Sequence, residues 1–208
     1  MTTTDSTSPA PSGVEEVVLL DEAGHRVGTA AKADVHHRDT PLHLAFSCYV
    51  FDSAGRLLLS RRALDKATFP GVWSNSFCGH PAPDEDVRDA LHRRARQELG
   101  IGLRDLEPAL PRFRYVAAMR NGVRENELCP VFTALTADDV RPDATEVADT
   151  EWVPWAAFRD EVLAGVRDVS SWCIEQVTEL ARREVGPGRF ATAGWTELPP
   201  AMRPRPRP

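Results

Sequence analysis

The sequence predicts an α+β fold from three observations: short apolar segments with β-strand character fill the first part, one well-capped helix begins near residue 84, and the last third is helical. EEVVLLDEAGHRVGTA reads as two short strands around a turn at Glu22–Gly24. LHLAFSCYVFD (42–52), a turn at SAGR and LLLSRRA form a hairpin of mainly buried strands, and GVWSNSF (71–77) adds another strand. In PAPDEDVRDALHRRARQELG, Val87, Ala90, Leu91, Ala95 and Leu99 recur at helical spacing between an acidic start and a closing glycine, which predicts a helix over 84–99. RFRYVAAMR (112–120), NELCPVFTALT (126–136) and a short segment at Thr150–Val153 read as strands. PWAAFRDEVLAG (154–165) and SSWCIEQVTELARREV (170–185) carry helical periodicity, the second with a serine cap.

At 208 residues the chain can bury one sizeable core, so one domain is expected over 15–186. Residues 1–14 lack a basic start and an apolar run, so they read as a disordered tail and not a secretory signal, which implies a cytoplasmic protein. Residues 187–208, rich in proline and arginine, read as a flexible tail. No apolar run is long enough to span a bilayer. A net charge of −6 argues against nucleic acid as the main partner, although a local basic cluster can still hold a small anion. The four cysteines, Cys48, Cys78, Cys129 and Cys173, form no CxxC pair and are expected as free thiols.

Several groups could carry chemistry. Glu125 and Glu127 are two apart on a strand, so both carboxylates share a face, where they repel unless a cation or a proton joins them. A metal bound with imidazoles from among His36, His37, His43 and His80 resolves this, and two solvent-facing acids are the other reading. Lys32, Arg61, Arg62 and Lys66 form a basic cluster, with Arg61 and Arg62 on opposite strand faces. Arg94 and Glu98 are an i, i+4 pair that reads as a solvated helix face. Tyr115 and Trp172, taken alone, read as core residues. Cys78 precedes His80 by two in a Gly- and Pro-containing turn, and spacing alone leaves open a buried thiol or a reactive one.

The ordered set Lys32, His36, HLAFS (43–47), SRRALDK (60–66), W-S-N-S-x-C-G-H-P (73–81), RR-x-R-x-ELG (93–100) and ENELCPVF (125–132) closely resembles type 1 isopentenyl-diphosphate isomerases over about residues 15–180. That resemblance implies a Nudix-like mixed sheet sandwiched by helices, with added C-terminal helices. The Nudix helix pattern falls on Gly79, Glu85, Arg93 and RRARQELGI, but Arg94 and Gln97 stand where acids belong, leaving only Glu98. Hydrolysis of a pyrophosphate bond, which needs those acids to hold metals, is thereby disfavoured, as is a non-catalytic binding module by the presence of both Cys78 and Glu127. By the same resemblance His36, His43, His80, Glu125 and Glu127 match ligands of one divalent metal, Mn²⁺, Mg²⁺ or Zn²⁺. Glu98 matches the acid that helps hold a diphosphate-bound Mg²⁺, and Cys78 too is matched to a metal position. Lys32, Arg62 and Lys66 match diphosphate contacts. Cys78 and Glu127 match the acid/base pair, with the metal acidifying Glu127 or fixing its proton; Tyr115 lies near Glu127, and Trp172 lies over the reacting carbons. The implied partner is an isoprenyl diphosphate, with no membrane or nucleic acid, on a monomer or weak dimer.

Overall fold

Two D-x-A-G segments, at 21–24 and 52–55, fold into the same kind of turn. The first aspartate's Oδ1 accepts the N–H groups of Ala23 (3.0 Å) and His25 (2.8 Å), and Asp52 Oδ1 accepts those of Ala54 (2.9 Å) and Arg56 (2.8 Å). Gly24 and Gly55 supply the positive φ, 84° and 75°, that each turn requires.

The computed structural model describes residues 15–190 and 193–203. Its strands and helices, in order, are β1 (Glu16–Leu20), β2 (Arg26–Ala31), α1 (Lys32–Val35), β3 (His43–Leu44), β4 (Phe46–Phe51), β5 (Arg56–Arg62), β6 (Trp73–Ser74), β7 (Phe77–Gly79) and α2 (Val87–Leu99). They continue as β8 (Arg104–Leu110), β9 (Arg114–Ala118), β10 (Arg124–Leu128), β11 (Val131–Leu135), β12 (Val147–Pro154), α3 (Trp155–Leu163) and α4 (Ser171–Arg182). One sheet runs β2-β1-β3-β10-β9; the other runs β12-β5-β4-β11-β8, with β6 on β5 and β7 on β4.

Two segments expected as single strands are each divided between the sheets. The stretch 42–52 becomes β3 and β4, changing sheets at Ala45, and 126–136 becomes β10 and β11, changing at Cys129–Pro130. Proline lacks the N–H that an unbroken central ladder would need, so the second break falls there. Both pairs run parallel, His43 beside Glu127 in one sheet and Ser47 beside Val131 in the other. The sheets therefore diverge around one point, and the polar residues of β3, β10 and β7 meet at it.

The predicted helix forms as α2, starting three residues later than expected because Asp86 is its cap, accepting the Arg88 N–H at 2.8 Å. It ends at Gly100, left-handed at φ 67°, whose N–H reaches the carbonyls of Ala95 and Arg96. Val87, Ala90, Leu91, Ala95 and Leu99 are buried against the sheets with Phe46, Leu58 and Phe77. A buried Leu or Phe contributes about 1.5–3 kcal/mol of transfer free energy. Gly79 lets β7 approach this helix: a Cβ there would lie 2.8 Å from Phe46 Cζ and 2.9 Å from Arg94 Cγ. On the other side Trp155, Phe158, Trp172, Val177 and Leu180 of α3 and α4 close a second core over Tyr49, Leu57 and Leu59.

β8 was not expected, because its charged residues and Pro108 obscure a strand pattern; it pairs only with β11, at the sheet edge where proline is tolerated. The segment expected as a flexible tail also differs where it is described. Trp195–Glu197 and Pro200–Met202 form 3₁₀ turns, and Leu198 and Met202 are buried in the first core. Trp195 lies 5.7 Å from the Phe132 ring and beneath the Arg88 guanidinium at 3.9 Å, while the Ala201 N–H donates to the Gly24 carbonyl at 3.1 Å. Apolar residues scattered among the prolines outweigh composition here. Residues 1–14 lie outside the described residues. Leu198→Ala is expected to lower unfolding free energy by about 2–5 kcal/mol in urea titration; a loss under about 0.5 kcal/mol would contradict the buried placement.

Candidate active site

Strand alternation turns Glu125 and Glu127 of β10 to the same inner face, and Tyr115 of β9 stands directly opposite Glu127. Glu127 is 3% exposed. Its Oε1 lies 3.0 Å from His80 Nε2, and 3.3 Å from His43 Nε2 in a direction that makes no hydrogen bond. His43 arrives from the neighbouring parallel strand, His80 from the end of β7, and His36 from the end of α1. The three imidazole centroids are 5.2–6.1 Å apart. One ligand atom from each of His36, His43, His80 and Glu127 lies within 4.8 Å of all the others.

This donor set fits a divalent cation. His36 Nε2, His43 Nε2 and His80 Nδ1 are buried without a hydrogen-bond partner. The carbonyl of Pro41, 3.0 Å from His43 Nδ1, can only accept, so that nitrogen carries hydrogen and Nε2 faces the Glu127 carboxylate. Two lone pairs at that separation require a proton or a cation between them. His36 is held down at about 4 by burial and the neighbouring imidazoles, so it is a neutral ligand at pH 7. Burial disfavours charge on His43 as well, but Glu127 outweighs it and holds the pKa above its usual value. Glu125, Glu98 and Cys78, matched to metal positions by resemblance, are not part of this four-residue cluster.

Glu125 is instead joined to Glu127 through Tyr115. The phenolic oxygen lies 2.9 Å from Glu125 Oε2 and 2.8 Å from Glu127 Oε2. One hydroxyl hydrogen cannot serve both, so the chain of three oxygens is complete when one carboxyl is protonated. Burial and the charge of Glu127 push Glu125 up to about 7, while the imidazoles overcome burial to keep Glu127 well below the usual range.

Cys78 lies on the same cavity wall. Its Sγ is 3.2 Å from Ser47 Oγ and 3.4 Å from Asn75 Oδ1. Gln176 Nε2 donates to Ser47 Oγ at 2.9 Å, which directs the serine hydrogen toward Cys78 or Cys129. Burial pushes the Cys78 thiol up to about 12, against the lowering effect of Ser47 and Asn75. All four cysteines are free, and Cys48, Cys129 and Cys173 are buried. Trp172 covers the same cavity, 5.6 Å from the Tyr115 ring and 5.1 Å from Phe69, with its indole nitrogen unpartnered.

The cavity, of about 200 Å³, runs from this inner end to a charged mouth lined by Lys32, Arg62, Lys66, Arg94, Glu98 and Glu146. That volume suits a ligand smaller than the drug-sized molecules that fill about 300–1,000 Å³. Lys32 pairs with Glu15 at 2.7 Å, and Lys66 with Glu146. Arg62 reaches the cavity as alternation predicts, but its Nε and Nη2 also hold the Thr68 carbonyl, at 3.1 and 2.8 Å. Arg61 bonds the Gly71 carbonyl outside it. Arg94 and Glu98 are not a solvated face: they are 8% and 7% exposed, joined at 2.8 Å. Sequence reading missed Arg94 and Glu146 as cavity residues. The substitution of an expected acid by Arg94 was a signal for the first; Glu146 lies in a polar loop and gave none. His37 takes part in a local turn, its Nδ1 accepting the Asp39 N–H.

Comparison with known proteins agrees with this picture. The NUDIX domain family matches residues 41–173. An isopentenyl-diphosphate Delta-isomerase of Saccharopolyspora erythraea is 54% identical over 90% of this chain and 97% of its own length. One from Mycolicibacterium vanbaalenii is 53% identical over 86% and 98%. Among solved structures, a Deinococcus radiodurans protein superposes with a TM-score of 0.61 at 19% identity, covering 79% of this chain and 98% of its own. The MutT protein of Methanosarcina mazei gives 0.57 at 19%, over 70% and 97%. These two likenesses concern the fold alone. No helix among the described residues is long and apolar enough to cross a membrane.

His43→Asn is expected to weaken binding of Mn²⁺ or Zn²⁺ by at least about 100-fold, since changes outside the ligand shell already cost 10–100-fold. Equilibrium dialysis with elemental analysis checks this, and undiminished binding would dissolve the proposed ligand set. In the unmutated protein the affinity should weaken as pH falls and protons compete at His43.

Proposed function

The chain belongs to the isopentenyl-diphosphate Delta-isomerase family of NUDIX-domain proteins, and from that premise we propose that Cys78 and Glu127 carry the proton transfers that interconvert isopentenyl and dimethylallyl diphosphate in its cavity. The observation that carries the reading is the convergence, on one small cavity, of the Cys78 thiol and the buried Glu127 carboxylate, which Tyr115 links to Glu125.

Moving a double bond from C3–C4 to C2–C3 needs one proton added at C4 and one removed at C2. An acid and a base with one proton between them suffice, and they exchange roles when the reaction reverses. Glu127 takes the part of the metal-acidified acid and Cys78 that of its partner across the substrate. The Glu125–Tyr115–Glu127 chain offers a route by which Glu127 receives a proton: Glu125 releases one to Tyr115 as the phenol passes its own on. A divalent cation held by His36, His43, His80 and Glu127 would supply positive charge that orients and acidifies that carboxyl. Mn²⁺, Mg²⁺ and Zn²⁺ all suit imidazole with carboxylate to different degrees.

Between the two transfers C3 carries a tertiary cation. The Trp172 face, held by Phe69 and Tyr115, stabilises such a cation by about 2 kcal/mol or more once water is excluded. Exclusion matters because water would trap the cation as an alcohol. Lys32, Arg62 and Lys66 would receive the diphosphate at the cavity mouth, where Glu98 would help hold a Mg²⁺ that screens its charge. The protein acts in the cytoplasm as a monomer or weak dimer.

Cys78→Ala is expected to reduce conversion of isopentenyl diphosphate by at least about 10⁴-fold while thermal stability and diphosphate affinity stay near those of the unmutated protein. Retained turnover would remove Cys78 from the mechanism. Trp172→Phe is expected to keep far more activity than Trp172→Ala, and equal rates for both would contradict the role of an aromatic face.

A further inference from the structure

Every cation at the cavity mouth has a local partner, and one carboxylate serves two of them. Glu146 Oε2 accepts from Lys66 Nζ and lies 3.3 Å from Arg94 Nη2. Arg94 in turn donates through Nε to Glu98 at 2.8 Å, so it sits between two carboxylates that face the same cavity. Glu146 precedes β12, and its backbone is pinned: its carbonyl accepts the Ala63 N–H at 3.0 Å and its N–H donates to the Asp143 carbonyl at 2.9 Å. Its side chain is 24% exposed, so it is neither a solvated surface group nor a sealed structural ion.

A mouth meant only to attract an anion would gain nothing from two carboxylates. Lys32, Arg62, Lys66 and Arg94 offer four positive charges; Glu15 pairs with Lys32 from outside the cavity, and Glu98 and Glu146 offset two more from within it. A free diphosphate monoester carries about three negative charges near pH 7, and both carboxylates repel it. A Mg²⁺ ion on the diphosphate reverses that interaction, because hard carboxylate oxygens suit this cation and its bound waters.

We propose that Glu146 is a specificity-determining residue that makes the cavity mouth select the Mg²⁺ complex of its diphosphate ligand over the free anion. The inference rests on the diphosphate reading given above. It extends that reading to a residue the sequence did not single out, and it assigns Glu146 a role distinct from holding Lys66 and Arg94 in place. A purely structural counter-ion would bias the two cations equally toward free and Mg²⁺-bound ligand.

Calorimetric titration of the full chain with inorganic pyrophosphate, at constant ionic strength with and without free Mg²⁺, tests this. The unmutated protein should bind the Mg²⁺ complex much more tightly than free pyrophosphate. Glu146→Gln should tighten binding of free pyrophosphate by about tenfold or more and shrink the benefit of Mg²⁺ by a similar factor. Glu146→Asp, which keeps the charge and the pairing chemistry, should retain the preference. An unchanged preference in Glu146→Gln, or its loss in Glu146→Asp, would overturn the proposal. Absence of pyrophosphate binding by the unmutated protein under both conditions would overturn the diphosphate reading itself, and this inference with it.

Discussion

The carboxylate of Glu127, nearly sealed from solvent, is the constraint around which the rest of the site is arranged. An unpaired buried carboxylate would cost several kcal/mol. Compensation comes from three other elements: His43 on the adjacent parallel strand, His80 beyond β7, and Tyr115 on the antiparallel neighbour. Those partners can converge only because β3 and β10 leave the main sheet together, at Ala45 and Cys129–Pro130. The divergence of the two sheets is therefore the means by which the fold creates a polar centre inside an apolar core.

From that centre the cavity is electrostatically graded. Its inner end holds a carboxyl pair bridged by a phenol, a thiol and an indole; its mouth holds four cations partly offset by two acids. A small ligand with one hydrocarbon end and one anionic end has a single favourable orientation along such a gradient. In the proposed reaction, holding the hydrocarbon against Cys78, Glu127 and Trp172 would supply the positioning that a proton transfer to carbon demands. The buried Ser47, Gln176 and Asn75 hold the thiol through a chain of hydrogen bonds.

Local rules made much of this legible in the sequence. The D-x-A-G turns, the Asp86 cap and Gly100 stop of α2, and the same-face relation of Glu125 and Glu127 all follow from neighbours a few residues away. What was hidden depends on distant neighbours. Nothing in 42–52 or 126–136 states that each strand changes sheets, and β8 carries Pro108 because only its edge position permits it. The Arg94–Glu98 pair looks solvated until Gly79 is seen to bring β7 against it. Glu146 joins the mouth only through the pairing of β12 with β5. Leu198 and Met202 reach the core from a stretch whose prolines suggested none. Of the site residues that motif resemblance supplied, all but the sealed His43 line one cavity, but their division into metal cluster, carboxyl bridge and charged mouth emerges only from the fold.

The most direct test of the proton-transfer account is to incubate the protein with isopentenyl diphosphate and Mg²⁺ in D₂O and follow the products by NMR. Deuterium is expected in the methyl group that forms from C4, and at C2 as the reaction reverses. Unchanged substrate with metal-replete protein, or product free of deuterium, would contradict it.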